Sequence, residues 1–139
     1  MPKVTLLTPI NSSLELPLYE TLIPAGFPSP AEEYLGDTMD LNDYLIQNKT
    51  ASFFAKVEGD SMIDAGIFAG DLVVVDKSIT ACDGCIVIAV VNNEFTIKRL
   101  STKNGIKLMP ENKEYQPIVM SGENELLIWG VVTSLIRKF

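Results

Sequence analysis

Apolar and polar positions divide this chain near residue 50. From Ala51 onward, short runs rich in Val, Ile, Leu and Phe alternate with Gly, Asn, Asp or Pro. The runs cover 53–58, 72–76, 86–91, 94–100, 106–109, 118–120 and 126–137. Apolar runs of this length, bounded by turn residues, predict β-strands. Their spacing, with no long helical pattern between them, predicts a mainly β fold, a compact domain of mostly antiparallel short strands.

The first fifty residues read differently. Pro2, Pro9, Pro17, Pro24, Pro28 and Pro30 recur through them. Proline fixes φ and restricts its predecessor, so continuous helix is forbidden and extended or turn backbone is favoured. We therefore expect an extended N-terminal arm over 1–50 and a β-domain over 51–139. One short helix is expected over 41–47, where Asp40 can cap and Leu41, Tyr44 and Leu45 share a face. Glu32, Glu33, Asp37, Asp40 and Asp43 make this stretch acidic. A solvated face is the expected reading, and a docking patch for a basic partner is the alternative.

Asn92-Asn93 separates two of the runs. Asparagine tolerates positive φ, so a two-residue hairpin turn is expected there. Counting back from Val91 opposite Glu94 sets Val87 opposite Lys98. Phe95, Ile97 and Arg99 then share one face, and Thr96, Lys98 and Leu100 the other. In that register Lys98 has an apolar cross-strand neighbour, and burial would lower its pKa toward a neutral amine able to accept a proton. From the hairpin alone, an exposed lysine on a half-solvated strand is the commoner outcome.

Composition narrows the function. The chain has 139 residues, fits one domain, and is 47% hydrophobic, enough for a core. Eighteen acidic against 11 basic side chains give a net charge of −7, which argues against direct nucleic-acid binding. No apolar run approaches the ~18–20 residues of a membrane span. The first residues, Met1-Pro2-Lys3-Val4, do not form a secretory signal, so a cytoplasmic location is the expectation. Cys82 and Cys85 are the only cysteines. A four-ligand metal site cannot close on two cysteines without histidine. Asp83-Gly84 between them reads as a turn into the next strand, not as the helix start of a redox motif. Two adventitious thiols flanking a turn is the expected reading.

The absence of histidine excludes a Ser-His-Asp triad, and a nucleophilic serine would need another base, for which a desolvated lysine is the known substitute. Gly59-Asp60-Ser61-Met62 supplies a candidate serine. Ser61 could instead merely cap a short segment over 62–66. At the start of a helical turn, however, free backbone N–H groups could hold an oxyanion. Upstream, Pro24-Ala25-Gly26-Phe27 offers a small-residue peptide bond in a segment able to lie extended in a protease cleft.

Taken together, these blocks resemble the LexA/UmuD family of self-cleaving serine–lysine peptidases. The resemblance rests on Gly59-Asp60-Ser61-Met62, on Gly70-Asp71-Leu72-Val73-Val74-Val75-Asp76 and on the lysine strand Phe95-Thr96-Ile97-Lys98-Arg99-Leu100. It continues through Pro110-Glu111-Asn112 with Pro117-Ile118, and Gly130-Val131-Val132. The arm segment Gly26-Phe27-Pro28-Ser29-Pro30-Ala31 is similar to UmuD-like members, which lack the DNA-binding domain of LexA. The resemblance implies Ser61 as nucleophile and Lys98 as general base. It implies Ala25–Gly26 as the scissile bond, and backbone N–H groups of Asp60 and Ser61 as the oxyanion hole. No metal or cofactor is implied. The implied partners are a second copy in a homodimer, the RecA filament on single-stranded DNA as trigger, and a UmuC-like Y-family polymerase. The implied process is SOS mutagenesis by translesion synthesis. The alternative is a non-catalytic, polymerase-binding regulatory subunit with weak or lost self-cleavage. The cysteine pair is not an expected feature of the family.

Overall fold

The computed structural model describes residues 13–20, 22–31, 35–121 and 126–139. The chain divides into two compact units, the first ending at Tyr44 and the second spanning Leu45–Phe139.

In the first unit, β1 (Glu15–Tyr19) pairs antiparallel with β2 (Leu35–Asp40), with Leu16 opposite Met39 and an irregularity between Pro17 and Tyr19. The arm therefore contains a β-hairpin, where the prolines alone predict only extended or turn backbone. Pro17 is tolerated because a two-stranded ribbon consists of edge strands, which need not donate at every position. Helix α1 (Leu41–Leu45) follows directly. Asp40 Oδ1 accepts from Asn42 N–H at 2.9 Å, the expected cap. Glu32 and Glu33 of the acidic stretch lie outside the described residues.

The second unit is a seven-stranded sheet. Its strands are β3 (Ser52–Lys56), β4 (Leu72–Asp76), β5 (Ile86–Val91), β6 (Glu94–Ser101), β7 (Lys107–Met109), β8 (Ile118–Val119) and β9 (Leu126–Ile136). Their order is β3-β4-β9-β5-β6-β7-β8, and each neighbouring pair is antiparallel. The mainly β, antiparallel expectation holds, and each strand lies within a residue or two of its sequence pattern.

Alternation along the central strands sorts side chains into two cores. Ile88 and Ile97 pack with Val57, Met62, Ile67, Val73 and Val75 on one side. Val87, Ala89 and Leu100 pack with Leu108 and Val131 on the other. Long β9 serves both through two irregularities. Ser134 faces Val74 but Val132 faces Val75, and Gly130 faces Ile88 but Ile128 faces Ala89. Trp129 is thus an extra residue, with its ring 4.8 Å from both Phe53 and Phe95. Beside it, Gly130 lets β9 approach β4, since a Cβ there would lie 2.5 Å from Val75 Cγ1.

Candidate active site

Two independent supports bring Ser61 and Lys98 together. The first is the β5–β6 hairpin. Asn92 and Asn93 adopt φ of 49° and 69°, the left-handed pair that a tight hairpin turn requires. The register is the expected one, with Val91 opposite Glu94 and Val87 opposite Lys98. Val87 is fully buried and Lys98 is only 8% exposed. The lysine is therefore buried, and the exposed alternative falls.

The second support holds the serine. Gly59 has φ of +83°, a conformation that favours glycine, and turns the chain out of the β3 edge. Met62, 1% exposed, anchors the next step in the core. A 3₁₀ turn over Ile63–Ala65 follows, ended by Gly66 in the left-handed conformation. Ser61 does not cap this turn, because its N-cap residue is Met62. Instead the Lys98 ammonium donates to Ser61 Oγ at 2.9 Å.

Segment 110–115 straps the serine turn from outside. Glu111 N–H donates to Ser61 O and Asp64 N–H donates to Glu111 O, each at 2.8 Å. Asn112 Nδ2 donates to Asp60 O at 2.9 Å. The Tyr115 hydroxyl donates to Asp60 Oδ1, and that carboxylate holds the phenol above its usual pKa range. Gripping the Asp60 carbonyl orients the whole Asp60–Ser61 peptide, whose N–H points the opposite way. Among the described residues no acceptor takes the N–H groups of Asp60 and Ser61, the two donors named as an oxyanion hole.

The lysine's electrostatics follow from its neighbours. Besides Ser61, its Nζ donates to Thr96 Oγ1 at 2.7 Å and to Ile97 O at 3.1 Å. Neither ion pair found among the described residues involves it. Burial without a counter-ion lowers its pKa below the ordinary lysine value. As an ammonium it has three N–H groups for three acceptors. As a neutral amine, Thr96 and Ile97 take the two remaining N–H groups and the lone pair faces Ser61. This arrangement can deprotonate a hydroxyl.

Thr96 and Asn112 had no assigned role in the sequence reading. Thr96 was legible, since it lies two residues before Lys98 on the same face. Asn112 depends on a contact 52 residues distant in sequence, which local pattern does not carry. An apolar cleft of about 580 Å³ is lined by Val57, Glu58, Gly59, Thr96, Ile97 and Trp129 among others, and neither Ser61 nor Lys98 is in its walls. Ala25 and Gly26 belong to the first unit, in an exposed bend without regular pairing.

Comparison with known proteins agrees with this architecture. The chain is 45% identical to protein SamA of Salmonella typhimurium over 130 residues, covering 94% of this chain and 89% of SamA. It is 45% identical to protein MucA of Escherichia coli over 124 residues, 88% and 85% of the two chains. It is also 42% identical to the LexA repressor of Clostridium perfringens over 118 residues, 84% of this chain and 57% of the repressor. The profile of the S24-like peptidases matches residues 17–133, a span that includes β2, the serine turn and the lysine strand, and the chain belongs to that peptidase family.

Proposed function

We propose that this protein is a self-cleaving serine peptidase of the SOS response, with Ser61 as nucleophile and Lys98 as general base. The observation that carries the reading is the 2.9 Å contact between a buried, counter-ion-free Lys98 Nζ and Ser61 Oγ. The substrate bond is Ala25–Gly26 of the chain itself. Alanine suits a small pocket before the bond, and glycine lets the backbone approach closely.

Neutral Lys98 takes the Ser61 proton as Oγ attacks the Ala25 carbonyl. The Asp60 and Ser61 N–H groups stabilise the resulting oxyanion. The lysine then returns the proton to the Gly26 amine as the peptide bond breaks. Neutral Lys98 then takes a proton from water as it attacks the Ala25 ester, and returns that proton to Ser61 Oγ as the ester bond breaks and the Ala25 carboxyl is released. Closing the cleft excludes water and favours the neutral amine, so docking of the arm controls the rate. A RecA filament on single-stranded DNA promotes that docking. The trimmed chain, residues 26–139, then works as a homodimer with a UmuC-like Y-family polymerase in translesion synthesis.

Mass spectrometry after incubation near pH 10, and at neutral pH with RecA filament, tests the reading. Wild type breaks between Ala25 and Gly26, and Ser61→Ala and Lys98→Ala stay intact while folded. Normal cleavage by either variant refutes the dyad. No cleavage of wild type under either condition favours the polymerase-binding subunit without catalysis.

A further inference from the structure

The cysteine pair is not absorbed by the peptidase chemistry, and its geometry is more specific than its spacing. Cys82 and Cys85 are both free thiols, with Cys82 exposed and Cys85 half-buried. Their sulfurs lie 3.2 Å apart, in hydrogen-bond contact. The sulfurs of a disulfide are ~2.05 Å apart, so closure requires a movement of about 1 Å.

The backbone between them is already fixed. Cys85 N–H donates to Cys82 O at 3.1 Å, closing the turn, and Gly84 adopts φ of +89°. Gly84 N–H donates to Leu100 O and Leu100 N–H to Cys85 O, which ties the turn to β6. Arg99 donates to Gly84 O at 2.7 Å, and Thr102 N–H donates to Asp83 Oδ1 at 2.7 Å. Bonds to three residues of β6 and its end therefore hold a four-residue turn with both sulfurs on one side.

We propose that Cys82–Cys85 is a reversible dithiol/disulfide modification site that takes low-molecular-weight disulfides by thiol–disulfide exchange in the folded protein. Exposed Cys82 is the sulfur that a small disulfide reaches, and Cys85 is the resolving thiol. The Cys82 thiolate attacks one sulfur of the small disulfide and expels a thiolate, which takes up the proton Cys82 released. Cys85 then attacks Cys82 Sγ and expels the second thiolate, which takes up the Cys85 proton. Two cysteine thiols are oxidised to one disulfide, and one small disulfide is reduced to two thiols. The hydrogen bond to Cys85, and that sulfur's charge, raise the Cys82 pKa above its ordinary value. The first step therefore quickens as pH rises through the thiol range. An exposed disulfide in so short a loop is of the labile, readily reduced kind.

Oxidised glutathione is the probe. The folded full chain is incubated with it and read by intact mass and by alkylation, beside Cys82→Ser and Cys85→Ser, each checked for native circular dichroism. Wild type is expected to lose two hydrogens, resist alkylation and retain no glutathione. Cys85→Ser is expected to retain one glutathione, at least ~10-fold more than wild type, because the neighbouring thiol's high effective concentration is gone. Dithiothreitol should restore both thiols of wild type. The proposal is overturned if wild type keeps bound glutathione, if it forms cysteine-linked dimers, if both thiols stay alkylatable, or if closure occurs only in denaturant.

Discussion

Lys98→Met separates what the lysine does for chemistry from what it costs the fold. Lys98 is 8% exposed, sits opposite fully buried Val87, and its charge is met by three neutral oxygens at 2.7–3.1 Å. Methionine has similar length and no charge to desolvate. Its introduction forfeits three hydrogen bonds, but Ser61 and Thr96 are half-exposed and can regain water. Replacing buried, imperfectly compensated charge by an apolar side chain is neutral to stabilising by up to a few kcal/mol. We expect a gain of about 1 kcal/mol at pH 7, or ~4–8 °C for a unit of this size. The sign of the pH dependence follows from the lowered lysine pKa. Between the folded pKa and the unfolded value near ~10.4, the unfolded chain holds more protons, so wild-type stability rises with pH. The advantage of methionine therefore shrinks as pH rises and is gone above that unfolded value. Thermal scans at several pH values, on protein confirmed uncut by mass, provide the assay. Self-cleavage of the variant should fall by ~10²–10⁴-fold or more, the scale of a general base. A methionine variant less stable than wild type at pH 7, or an advantage independent of pH, would refute the reasoning.

Three further outcomes test other parts of the molecule. Asn112→Ala frees the Asp60 carbonyl and lets the Asp60–Ser61 peptide tilt. Self-cleavage should slow by about 10-fold, a fraction of the 10²–10³ attributed to an oxyanion donor, with the pH midpoint unchanged because Lys98 is untouched. Gly130→Ala sets a Cβ 2.5 Å from Val75 Cγ1. Urea unfolding should show a loss of ~1–3 kcal/mol, the range for overpacking. Arg137 donates to both carboxylate oxygens of buried Asp71 at 2.7 and 2.6 Å and, with the Phe68 N–H, holds its pKa at about 2. Stability from that carboxylate is present above the usual value of 3.8 and lost as pH falls through about 2. Arg137→Ala should flatten the acid limb of the urea midpoint against pH, and parallel curves for the two proteins would count against the pairing.

The strands were legible because burial on a sheet imposes period two, and Ile88, Ile97, Val73 and Val75 carry that period without ambiguity. The hairpin register was legible because Asn92-Asn93 leaves one sensible turn length. Register alone did not bury Lys98. That depended on β9 pairing with β5 and on the serine turn approaching β6, both set by long-range contacts. The β1–β2 ribbon escaped notice because Pro17 interrupts its pattern and its apolar residues, Leu16 and Tyr19 among them, remain exposed. The strap over 110–115 shows no periodicity. It works through side-chain bonds to backbone, which composition does not reveal.

The distance between serine and lysine is set from both ends by one ion pair. Arg99 is the residue after Lys98 and points to the opposite face of β6. There its Nε donates to Glu111 Oε1 at 2.6 Å. Glu111 in turn donates its N–H to Ser61 O and accepts from Asp64 N–H. The strand that carries Lys98 is thus bonded to the segment that grips the Ser61 turn. A dyad has no third residue to orient its base, unlike a triad. Here orientation falls to the backbone of β6 and to Thr96. Spacing falls to Arg99 and Glu111, which are only partly exposed, at 36% and 32%. Loosening that pair should therefore slow cleavage without moving its pH midpoint. Altering Thr96 should move the midpoint, because Thr96 touches the ionising nitrogen itself. Self-cleavage of Glu111→Gln and Thr96→Val across pH distinguishes the two roles, and an equal midpoint shift in both variants would defeat the distinction.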